Sequence, residues 1–363
     1  MKKVNVGIVG CGNISGIYLK NLTEVFPNTN VYAVSDLIQE RAKEAAEKWG
    51  IPNIMTLDEM LKSKEIELIV NLTTPQSHYE ICKKSILAKK HTYVEKPLSL
   101  TLDEGLELVR LAKENGVMLG GAPDTFMGAG IQTCRKLIDD GYIGRPVAAT
   151  AFMMCHGHES WHPDPEFYYK KGGGPMFDMG PYYLTALVSL MGGVSEVCGM
   201  NSITFPTRTI TSKPKYGQSI HVEVPTHVAG LLRFDSGAIG TIITSFDVWQ
   251  SSLPRIEIYG TKGTIFVPDP NTFEGPVQMS TLDGSGFKEI PLTHPYAENS
   301  RGIGVADMAQ CIINGGNNKA NGELTAHVLE VMCAIARSDE DKAYYKMKTK
   351  CDKPAAMLSE LIK

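Results

Sequence analysis

Residues 3–17 read KVNVGIVGCGNISGI, and this stretch decides the fold. Residues 4–9 are rich in β-branched side chains and run directly into Gly10-Cys11-Gly12, after which a helical pattern begins. A hydrophobic strand that ends on two closely spaced glycines and enters a helix is typical of the first unit of a parallel α/β sheet. The sequence therefore predicts a doubly wound parallel sheet that starts at residue 4.

The same alternation of strand and helix continues to about residue 121. Further strands are predicted at Val31 to Ser35, Leu68 to Leu72, Thr92 to Val94 and Val117 to Gly120, with amphipathic helices at QERAKEAAEKW and TLDEGLELVRLAKEN. We therefore predict an N-terminal Rossmann domain over residues 1–122.

After residue 145 the pattern changes to longer strand-like runs. These are PVAATAFMM, HVAGLLRF, AIGTIITSF, RIEIYG and TIFV. Turn residues separate several of them, which is typical of antiparallel hairpins. One helix is predicted from near Met176 through YYLTALVSLM, and helical patterns return at Val305 to Ile313 and Leu324 to Ala336. Residues 123–363 are thus predicted to form an α+β domain with antiparallel hairpins.

Composition excludes several classes of protein. The 363 residues carry 36 Lys and Arg against 40 Asp and Glu, without a basic stripe, so nucleic acid is not expected as a partner. No apolar run has the roughly 18 residues that a membrane helix needs. The eight cysteines are scattered, without a CxxC pair, and are expected to be reduced and mostly buried thiols of a cytoplasmic protein.

The glycine turn carries the first chemical prediction. Gly10 and Gly12, followed by Asn13 and Ile14 at the helix entry, are expected to hold a dinucleotide pyrophosphate. Ser15 stands where a third glycine or alanine is usual. A glycine-rich turn without a ligand is the alternative interpretation of this motif alone.

The end of the second strand supplies context for that motif. Asp36 ends this strand, where a carboxylate accepts hydrogen bonds from a ribose 2′-hydroxyl and repels a 2′-phosphate. No arginine follows until Arg41. The sequence therefore predicts NAD rather than NADP.

Two later strands also end on polar residues, at the sheet edge where ligands bind. One such segment contains Thr73, Thr74, Pro75 and His78, and the other is Glu95-Lys96-Pro97. We predict that both segments contact the cofactor. Lys96 is further predicted to act on the substrate, because its place between a strand end and a proline fixes its direction.

The segment GGGPMFDMGPYY, residues 172–183, places a triple glycine before a helix. Asp178 and Tyr182 are four residues apart, which puts them on one face of a continuous helix. A carboxylate and a phenol one turn apart can position and deprotonate a substrate hydroxyl. The structural alternative is a charge near a helix start and an aromatic core residue.

These motifs together resemble the Gfo/Idh/MocA family of glucose-fructose oxidoreductases, inositol 2-dehydrogenases and rhizopine-catabolism proteins, and the likeness weakens after about residue 270. The resemblance implies an N-terminal Rossmann domain and a C-terminal α+β domain with a large open, mostly antiparallel sheet. It further implies NAD(P)-dependent chemistry on sugars, inositols and related polyols. It also implies a catalytic role for Lys96 and Asp178. Family members usually have a histidine at the position of Tyr182. A tyrosine at this position resembles the sugar-oxidising branch of the family, which uses a tyrosine.

The segment HGHESWHPDP, residues 156–165, contains three histidines and one glutamate. Their spacing fits neither a helical HxxxH pair nor a zinc finger, so no metal is predicted. An indole beside imidazoles suits a pyranose, and His158, Trp161 and His162 are predicted to bind substrate together with Lys96, Asp178 and Tyr182. A purely structural loop is the alternative.

The sequence therefore predicts an NAD-dependent dehydrogenase that acts on a secondary hydroxyl of a sugar or glycoside, with C3 of a pyranoside as one such position. Lys96, Asp178 and Tyr182 are its predicted catalytic residues. Two alternatives stay open: an NAD-assisted glycosidase that oxidises the sugar transiently, and a non-catalytic NAD-binding regulator. The expected partners are a small carbohydrate and other copies of the chain, as a homodimer or homotetramer.

Overall fold

The computed structural model describes residues 2–282 and 284–362, which divide into two compact units. The first unit comprises Met1–Gly128, His294–Ala326 and Pro354–Lys363, and the second comprises Ala129–Thr293 and His327–Lys353. The sequence predicted two continuous segments, 1–122 and 123–363. In the structure, two late segments of the chain, His294–Ala326 and Pro354–Lys363, belong to the first unit instead.

The first unit is built on a six-stranded parallel sheet. Its strand order is β3-β2-β1-β4-β5-β6, the Rossmann arrangement that the sequence predicted. The strands are β1 Val4–Val9, β2 Thr29–Ser35, β3 Asn53–Ile54, β4 Leu68–Asn71, β5 His91–Val94 and β6 Leu119–Gly121. The two-residue strand β3 was not predicted, because it is too short to show a hydrophobic pattern.

Helices connect these strands, and two of them begin with a side-chain cap. They are α1 Ser15–Glu24, α2 Gln39–Trp49, α3 Leu57–Lys62, α4 Pro75–Leu87 and α5 Leu102–Asn115. Thr56 and Thr101 each form a capping box with the glutamate three residues later, which satisfies free amides at the starts of α3 and α5.

The late segments join the first unit through buried polar contacts. Helix α9, Ile303–Asn314, begins beside Asp124, whose carboxylate accepts hydrogen bonds from the amides of Gly302 and Gly304 at 2.8 and 3.0 Å. The side chain of Asn28 donates to the carbonyl of Ala306 at 2.9 Å. Residues far apart in sequence thus satisfy each other's buried groups, and hydrophobic patterning carries no signal for such pairs.

In the described part of the chain, the second unit contains a nine-stranded mixed sheet. Its order is β16-β15-β14-β13-β7-β12-β11-β8-β17. Strands β7 and β12 run parallel, and the other neighbouring pairs run antiparallel. The strands are β7 Pro146–Met154, β8 Val194–Ser202, β11 His227–Phe234, β12 Ile239–Ser245, β13 Ile256–Gly260, β14 Gly263–Val267, β15 Val277–Thr281, β16 Lys288–Ile290 and β17 Tyr345–Lys346. A separate hairpin pairs β9 Thr207–Thr209 with β10 Ser219–His221.

One face of this large sheet is buried and the other is accessible. Leu232, Ile242 and Ile258 belong to the buried face, with no exposed surface. On the other face of the neighbouring strands, Leu231 and Met200 expose 47% and 74% of their surface. Buried and exposed side chains therefore alternate along these strands, and the outward face keeps apolar residues.

The remaining helices differ in two respects from prediction. They are α6 Ala129–Asp139, α7 Gly174–Asp178, α8 Gly180–Met191 and α10 Gly322–Asp341. Helix α6 was not predicted. The prediction of a continuous helix from near Met176 is wrong, because regular helix is interrupted at Met179. Within the described ranges, no helix is both long enough and apolar enough to cross a membrane. All eight cysteines are free thiols, of which three are buried and five partly buried, so the expectation that most are buried is wrong.

Candidate functional site

Gly10 and Gly12 form the turn after β1, and their surroundings differ. Gly10 has φ +99°, and a Cβ atom there would lie 2.8 Å from the carbonyl carbon and oxygen of Leu72. Only glycine fits this close approach of two backbones. A Cβ at Gly12 would meet nothing within 4 Å, so this side of the turn faces open space that a side chain would fill.

Helix α1 begins directly after this turn. Ser15, its first residue, donates its hydroxyl to the carbonyl of Gly12 at 2.7 Å. Asn13 is exposed and Ile14 is the N-cap residue, without a side-chain capping bond. The serine that departs from the usual glycine pattern therefore stabilises the turn, and the free amides of the first helical turn are adjacent to the open side of Gly12.

Asp36 lies at the end of β2 and is half-buried. Its two carboxylate oxygens accept hydrogen bonds from the amides of Cys11 and Ile38, each at 2.8 Å. A carboxylate has about four acceptor positions, so it retains capacity for a further donor. Burial and the nearby Asp36 raise the pKa of the Cys11 thiol to about 11, so this cysteine is not a thiolate at neutral pH.

The strand order of the first sheet reverses between β1 and β4, and ligands of such sheets bind outside this point. The residues that follow β4 lie there. Thr73 is fixed by two hydrogen bonds to the side chain of Asn71, at 2.7 Å from its hydroxyl and 3.2 Å from its amide. Thr74 is exposed at the N-cap of α4, and Pro75 is the first residue of this helix.

His78 lies beneath these residues and is fully buried. Its Nδ1 lies 2.6 Å from the carbonyl oxygen of Pro97, and its Nε2 lies 3.0 Å from that of Thr73. Burial lowers the pKa of His78, and the two carbonyl contacts oppose that change. The imidazole therefore ties together the segments that follow β4 and β5. This position does not favour the predicted direct contact with the cofactor.

Glu95 is also largely buried. One of its oxygens accepts the hydroxyl of Tyr18 at 2.7 Å and the other accepts the amide of Lys96 at 3.0 Å. Burial, reinforced by the charge of Glu95, raises the pKa of Tyr18 well above its ordinary value. Glu95 thus fixes the backbone at Lys96, and its position supports an indirect role rather than the predicted contact with the cofactor.

The other half of the predicted site belongs to the second unit. Asp178, the last residue of α7, accepts a hydrogen bond from Nε2 of His158 to its Oδ2 at 3.3 Å. His158 exposes 8% of its surface. The structure therefore brings together two of the predicted substrate residues, which are 20 positions apart in sequence.

Aromatic rings surround His158. The ring of Tyr168 meets the imidazole edge-on at 3.9 Å between centroids, and the rings of Phe246 and Trp161 follow at 4.7 and 5.2 Å. Trp161 exposes 61% of its surface, and His162 lies 5.3 Å from its ring. The predicted histidine and tryptophan residues thus form one cluster, to which the structure adds Tyr168 and Phe246.

Tyr182 lies in the first turn of α8 and exposes 8% of its surface. Because α7 ends before Met179, the one-helix argument that placed Asp178 and Tyr182 on a single face does not hold. The triple glycine at the start of α7 permits a close backbone approach. A Cβ on Gly173 would lie 2.6 Å from the carbonyl oxygens of Phe167 and Tyr168, so the close neighbour is the protein's own backbone.

A buried ionic network supports the loop that carries His158. Arg208 of β9 donates to the carboxylates of Glu159, at 2.6 Å, and of Asp247. Glu159 also accepts the hydroxyl of Tyr169 at 2.6 Å. Burial would raise the pKa of Glu159, but the donors Tyr169 and Arg208 hold it below its usual value. Glu159 is therefore committed to a structural network.

Sequence reasoning did not find this network or the ring of Phe246. A short polar strand around Arg208 has no pattern that marks the arginine as buried. The signal that could have revealed the network was Glu159, an acidic residue inside a segment of aromatic and imidazole side chains. A buried carboxylate needs a cation as its partner. Among the described residues, no three His, Cys, Asp or Glu side chains come together as a metal-binding group.

Two family models match the chain. Residues 4–121 match the oxidoreductase family with an NAD-binding Rossmann fold, and residues 131–266 match the GFO/IDH/MocA C-terminal domain. The chain belongs to the Gfo/Idh/MocA oxidoreductase family. The resemblance seen in the sequence motifs is thereby confirmed.

Curated relatives of this Gfo/Idh/MocA protein include two inositol enzymes. It is 26% identical to a myo-inositol 2-dehydrogenase of Thermotoga maritima, over 72% of this chain and 75% of the relative. It is 25% identical to a scyllo-inositol 2-dehydrogenase (NAD(+)) of Bacillus subtilis, over 86% and 87% of the two chains. A solved levoglucosan dehydrogenase in complex with NADH and L-sorbose has a TM-score of 0.81 and 21% identity, over 96% of this chain and all of the other, which supports the fold.

The first unit of this Gfo/Idh/MocA protein is thus the NAD-binding domain of an oxidoreductase. Its residues fit that cofactor on their own geometry. The open side of Gly12 leaves room for a pyrophosphate beside the first amides of α1, and Asp36 keeps acceptor capacity for a ribose hydroxyl.

Proposed function

We propose that this protein oxidises a secondary hydroxyl of a sugar, cyclic polyol or glycoside, with NAD as the electron acceptor. The observation that carries the proposal is the Asp178–His158 pair inside its cluster of aromatic rings. Carbohydrates present apolar ring faces and hydroxyl edges, and a site with aromatic rings and a few polar groups suits both. The inositol and xylose dehydrogenases among the relatives agree with this substrate class.

The cofactor supplies the redox chemistry. Bound NAD is the two-electron acceptor for the carbinol carbon. On our proposal Gly10, Gly12, Asn13 and Ile14 hold its pyrophosphate, and Asp36 accepts its ribose hydroxyls. Thr73, Thr74 and Pro75 border it at the switch point. His78 and Glu95 shape these segments from below.

The protein must also remove a proton from the substrate hydroxyl. We propose that the Lys96 ammonium polarises the substrate oxygen and that Tyr182, as the phenolate, accepts the hydroxyl proton and becomes a neutral phenol. Asp178 is proposed to bind a second hydroxyl of the substrate. A fixed cation lowers the cost of charge that develops on oxygen in the transition state. Trp161 and His162 are proposed to line the sugar site.

We further propose a homodimer or homotetramer, formed through the accessible face of the large sheet. Met200, Leu231 and Ile239 lie on this face and expose 47–74% of their surface. Exposed apolar residues on neighbouring strands favour burial against another copy of the chain. The eight free thiols support a reducing, cytoplasmic location.

The proposal is tested by a screen of purified protein with NAD against inositols, aldoses, anhydrosugars and glycosides. We expect NADH formation, measured at 340 nm, with at least one of these classes. Glycosides are also assayed for a released aglycone. Aglycone release without net NADH indicates the NAD-assisted glycosidase, and binding of NAD with neither product indicates a non-catalytic role.

Lys96→Met then tests the assignment of the cation, because methionine keeps most of the side-chain volume. Turnover is expected to fall by about 10²–10³, the usual cost of losing one such charge contact, while NAD affinity is largely kept. Lys113→Met removes an exposed lysine from α5 of the same unit and is the matched control. Wild-type turnover by Lys96→Met would contradict the assignment.

A further inference from the structure

We propose that His158 is a positioning residue, whose Nε2–H holds the carboxylate of Asp178 in its working orientation. The inference rests on the proposed function, because that function gives Asp178 its task at the substrate. It assigns to His158 an action through Asp178, whereas the sequence predicted a substrate contact.

The imidazole is fixed on its sides. Tyr168, Phe246 and Trp161 place their ring centroids 3.9–5.2 Å from the imidazole centroid, and Tyr168 stands at 85° to it. Rings packed around a buried side chain leave few alternative rotamers. The direction of Nε2 toward Asp178 is therefore set by packing as well as by the hydrogen bond itself.

The second ring nitrogen determines the tautomer. Nδ1 of His158 is buried and has no hydrogen-bond partner among the described residues. A proton on Nδ1 would be a buried donor without an acceptor, which costs free energy. The neutral ring therefore carries its proton on Nε2, the atom that faces Asp178. A neutral donor orients the carboxylate and leaves its negative charge in place.

The backbone of His158 is fixed as well. Its amide donates to the hydroxyl of Tyr169 at 3.4 Å, and that hydroxyl donates to Glu159. Gly157 has φ +73°, and a Cβ there would lie 2.1 Å from Oε2 of Glu159 and 2.3 Å from the hydroxyl of Tyr169. Moving His158 away from Asp178 would therefore disturb the buried network around Arg208. The network gives the loop a single position.

The test compares two replacements of His158. His158→Phe keeps a planar ring without a donor, and His158→Gln restores an N–H near the position of Nε2. We expect kcat to fall about 100-fold in His158→Phe, as is usual when a reacting group is misplaced, with little change in NAD affinity. In His158→Gln we expect kcat to recover to within about tenfold of wild type. His221→Gln, at an exposed histidine of the same unit, is the control.

Equal losses in the two variants would overturn the proposal, since the imidazole itself would then be needed. Unchanged kcat in His158→Phe would overturn it too. Melting temperatures show whether each variant is folded. If His158→Phe does not fold, the test rests on His158→Gln, whose kcat must lie within about tenfold of wild type.

A second measurement does not depend on turnover. Long-range proton–nitrogen NMR spectra of the histidine rings report the tautomer, and loss of one ring signal in His158→Gln assigns His158. We expect a proton on Nε2, and a shift of this signal in Asp178→Asn. A proton on Nδ1 overturns the proposal. If the substrate screen finds no activity, the proposed function fails while this spectrum still tests the His158–Asp178 pair.

Discussion

Gly10 and Gly12 are two residues apart, yet a methyl group at each would meet different surroundings. At Gly10 it would meet the backbone of Leu72 at 2.8 Å, in a left-handed conformation, whereas at Gly12 it would project into open space. We expect Gly10→Ala to destabilise the fold by about 1–3 kcal/mol, the usual cost of a strained backbone. Gly12→Ala should keep the wild-type melting temperature and weaken NAD binding at least tenfold, or about 1.4 kcal/mol.

Thermal melts without cofactor, together with calorimetric titration with NAD, check this contrast. Each variant is the control of the other, because the added group is the same. Tight NAD binding by a well-folded Gly12→Ala would show that the open side of Gly12 does not receive the pyrophosphate.

Asp36 has a structural task and a proposed selective one, and these can be separated. Asp36→Asn keeps the volume of the side chain but removes its charge. Its single amide oxygen can replace one of the two carboxylate oxygens that accept from the amides of Cys11 and Ile38. We expect the ratio of NADP to NAD dissociation constants to exceed ten in the wild type, and to narrow markedly in Asp36→Asn because repulsion of the 2′-phosphate is lost. Fluorescence titrations measure both constants. Asp58→Asn, an exposed change of equal charge, should leave the ratio unaltered; equal wild-type affinities would refute the prediction.

The sequence located the residues that belong to motifs, but it did not reveal which groups surround them. The positions of Gly10, Asp36, Lys96 and Asp178 followed from the ends of predicted strands and from family motifs. The sequence did not reveal that His78 lies between two carbonyl oxygens, because both partners are backbone atoms. Nor did it pair His158 with Asp178, since the chain between them follows no regular pattern.

Helix α10 is joined to the start of β8 and to Thr349, three residues after β17, by a chain of hydrogen bonds. Nε2 of His327 accepts the amide of Val194 at 3.0 Å, so its Nδ1 donates to the hydroxyl of Thr349 at 2.7 Å. That hydroxyl donates to Glu330 at 2.6 Å. Protonation of His327 would place a proton against the amide of Val194. The helix therefore requires a neutral histidine, and burial lowers the pKa of His327 accordingly.

This gives a pH dependence of stability with a definite sign. The unfolded chain protonates His327 near pH 6.5 and the folded chain only at lower pH, so the unfolded state binds more protons in between. Stability is lost as the pH falls from 6.5 toward the folded pKa, at no more than about 1.4 kcal/mol per pH unit for this group. His327→Gln keeps an acceptor and a donor but does not titrate. Its melting temperature should therefore fall less than that of the wild type between pH 7 and pH 5; parallel curves would contradict this.

Most helices and strands were predictable because their signals are local. Helix α2 was predicted without error, and α5 within one residue, because their hydrophobic spacing and terminal glycines agree, and α5 also begins with a capping box. The helix after the triple glycine was predicted as one piece because its apolar residues continue through Met179. The signal for the interruption is Gly180-Pro181, since a proline lacks the amide hydrogen that a continuous helix would use there.

The large sheet of the second unit presents an accessible face with apolar residues, and we proposed that copies of the chain associate there. Leu231→Glu places a charge on this face, whereas Val25→Glu makes the same kind of change in the first unit at similar exposure, 45% against 47%. We expect the wild type and Val25→Glu to sediment as a dimer or tetramer, and Leu231→Glu as a smaller species, because burying an unpaired carboxylate is costly. A monomeric wild type, or equal assembly of all three, would contradict the proposed interface.

The number and kind of domains were predictable, but their boundaries were not. Composition and the change of texture after residue 145 indicated two domains, and both family models agree. The return of residues 294–326 to the first unit depends on contacts such as that between Asp124 and the amide of Gly302. These pairs join residues almost 180 positions apart, beyond the reach of local patterning.

The discontinuous first unit has a consequence for synthesis of the chain. A domain made from one continuous segment can fold while the ribosome is still adding the next. Here the partners of Asp124 and Asn28 lie near residues 302–306, and the hydroxyl of Tyr296 is paired with the amide of Ile362, 66 positions later. The nascent NAD-binding unit thus stays incomplete until the second unit has been made. A fragment that stops at residue 122 would lack the segments that complete its fold.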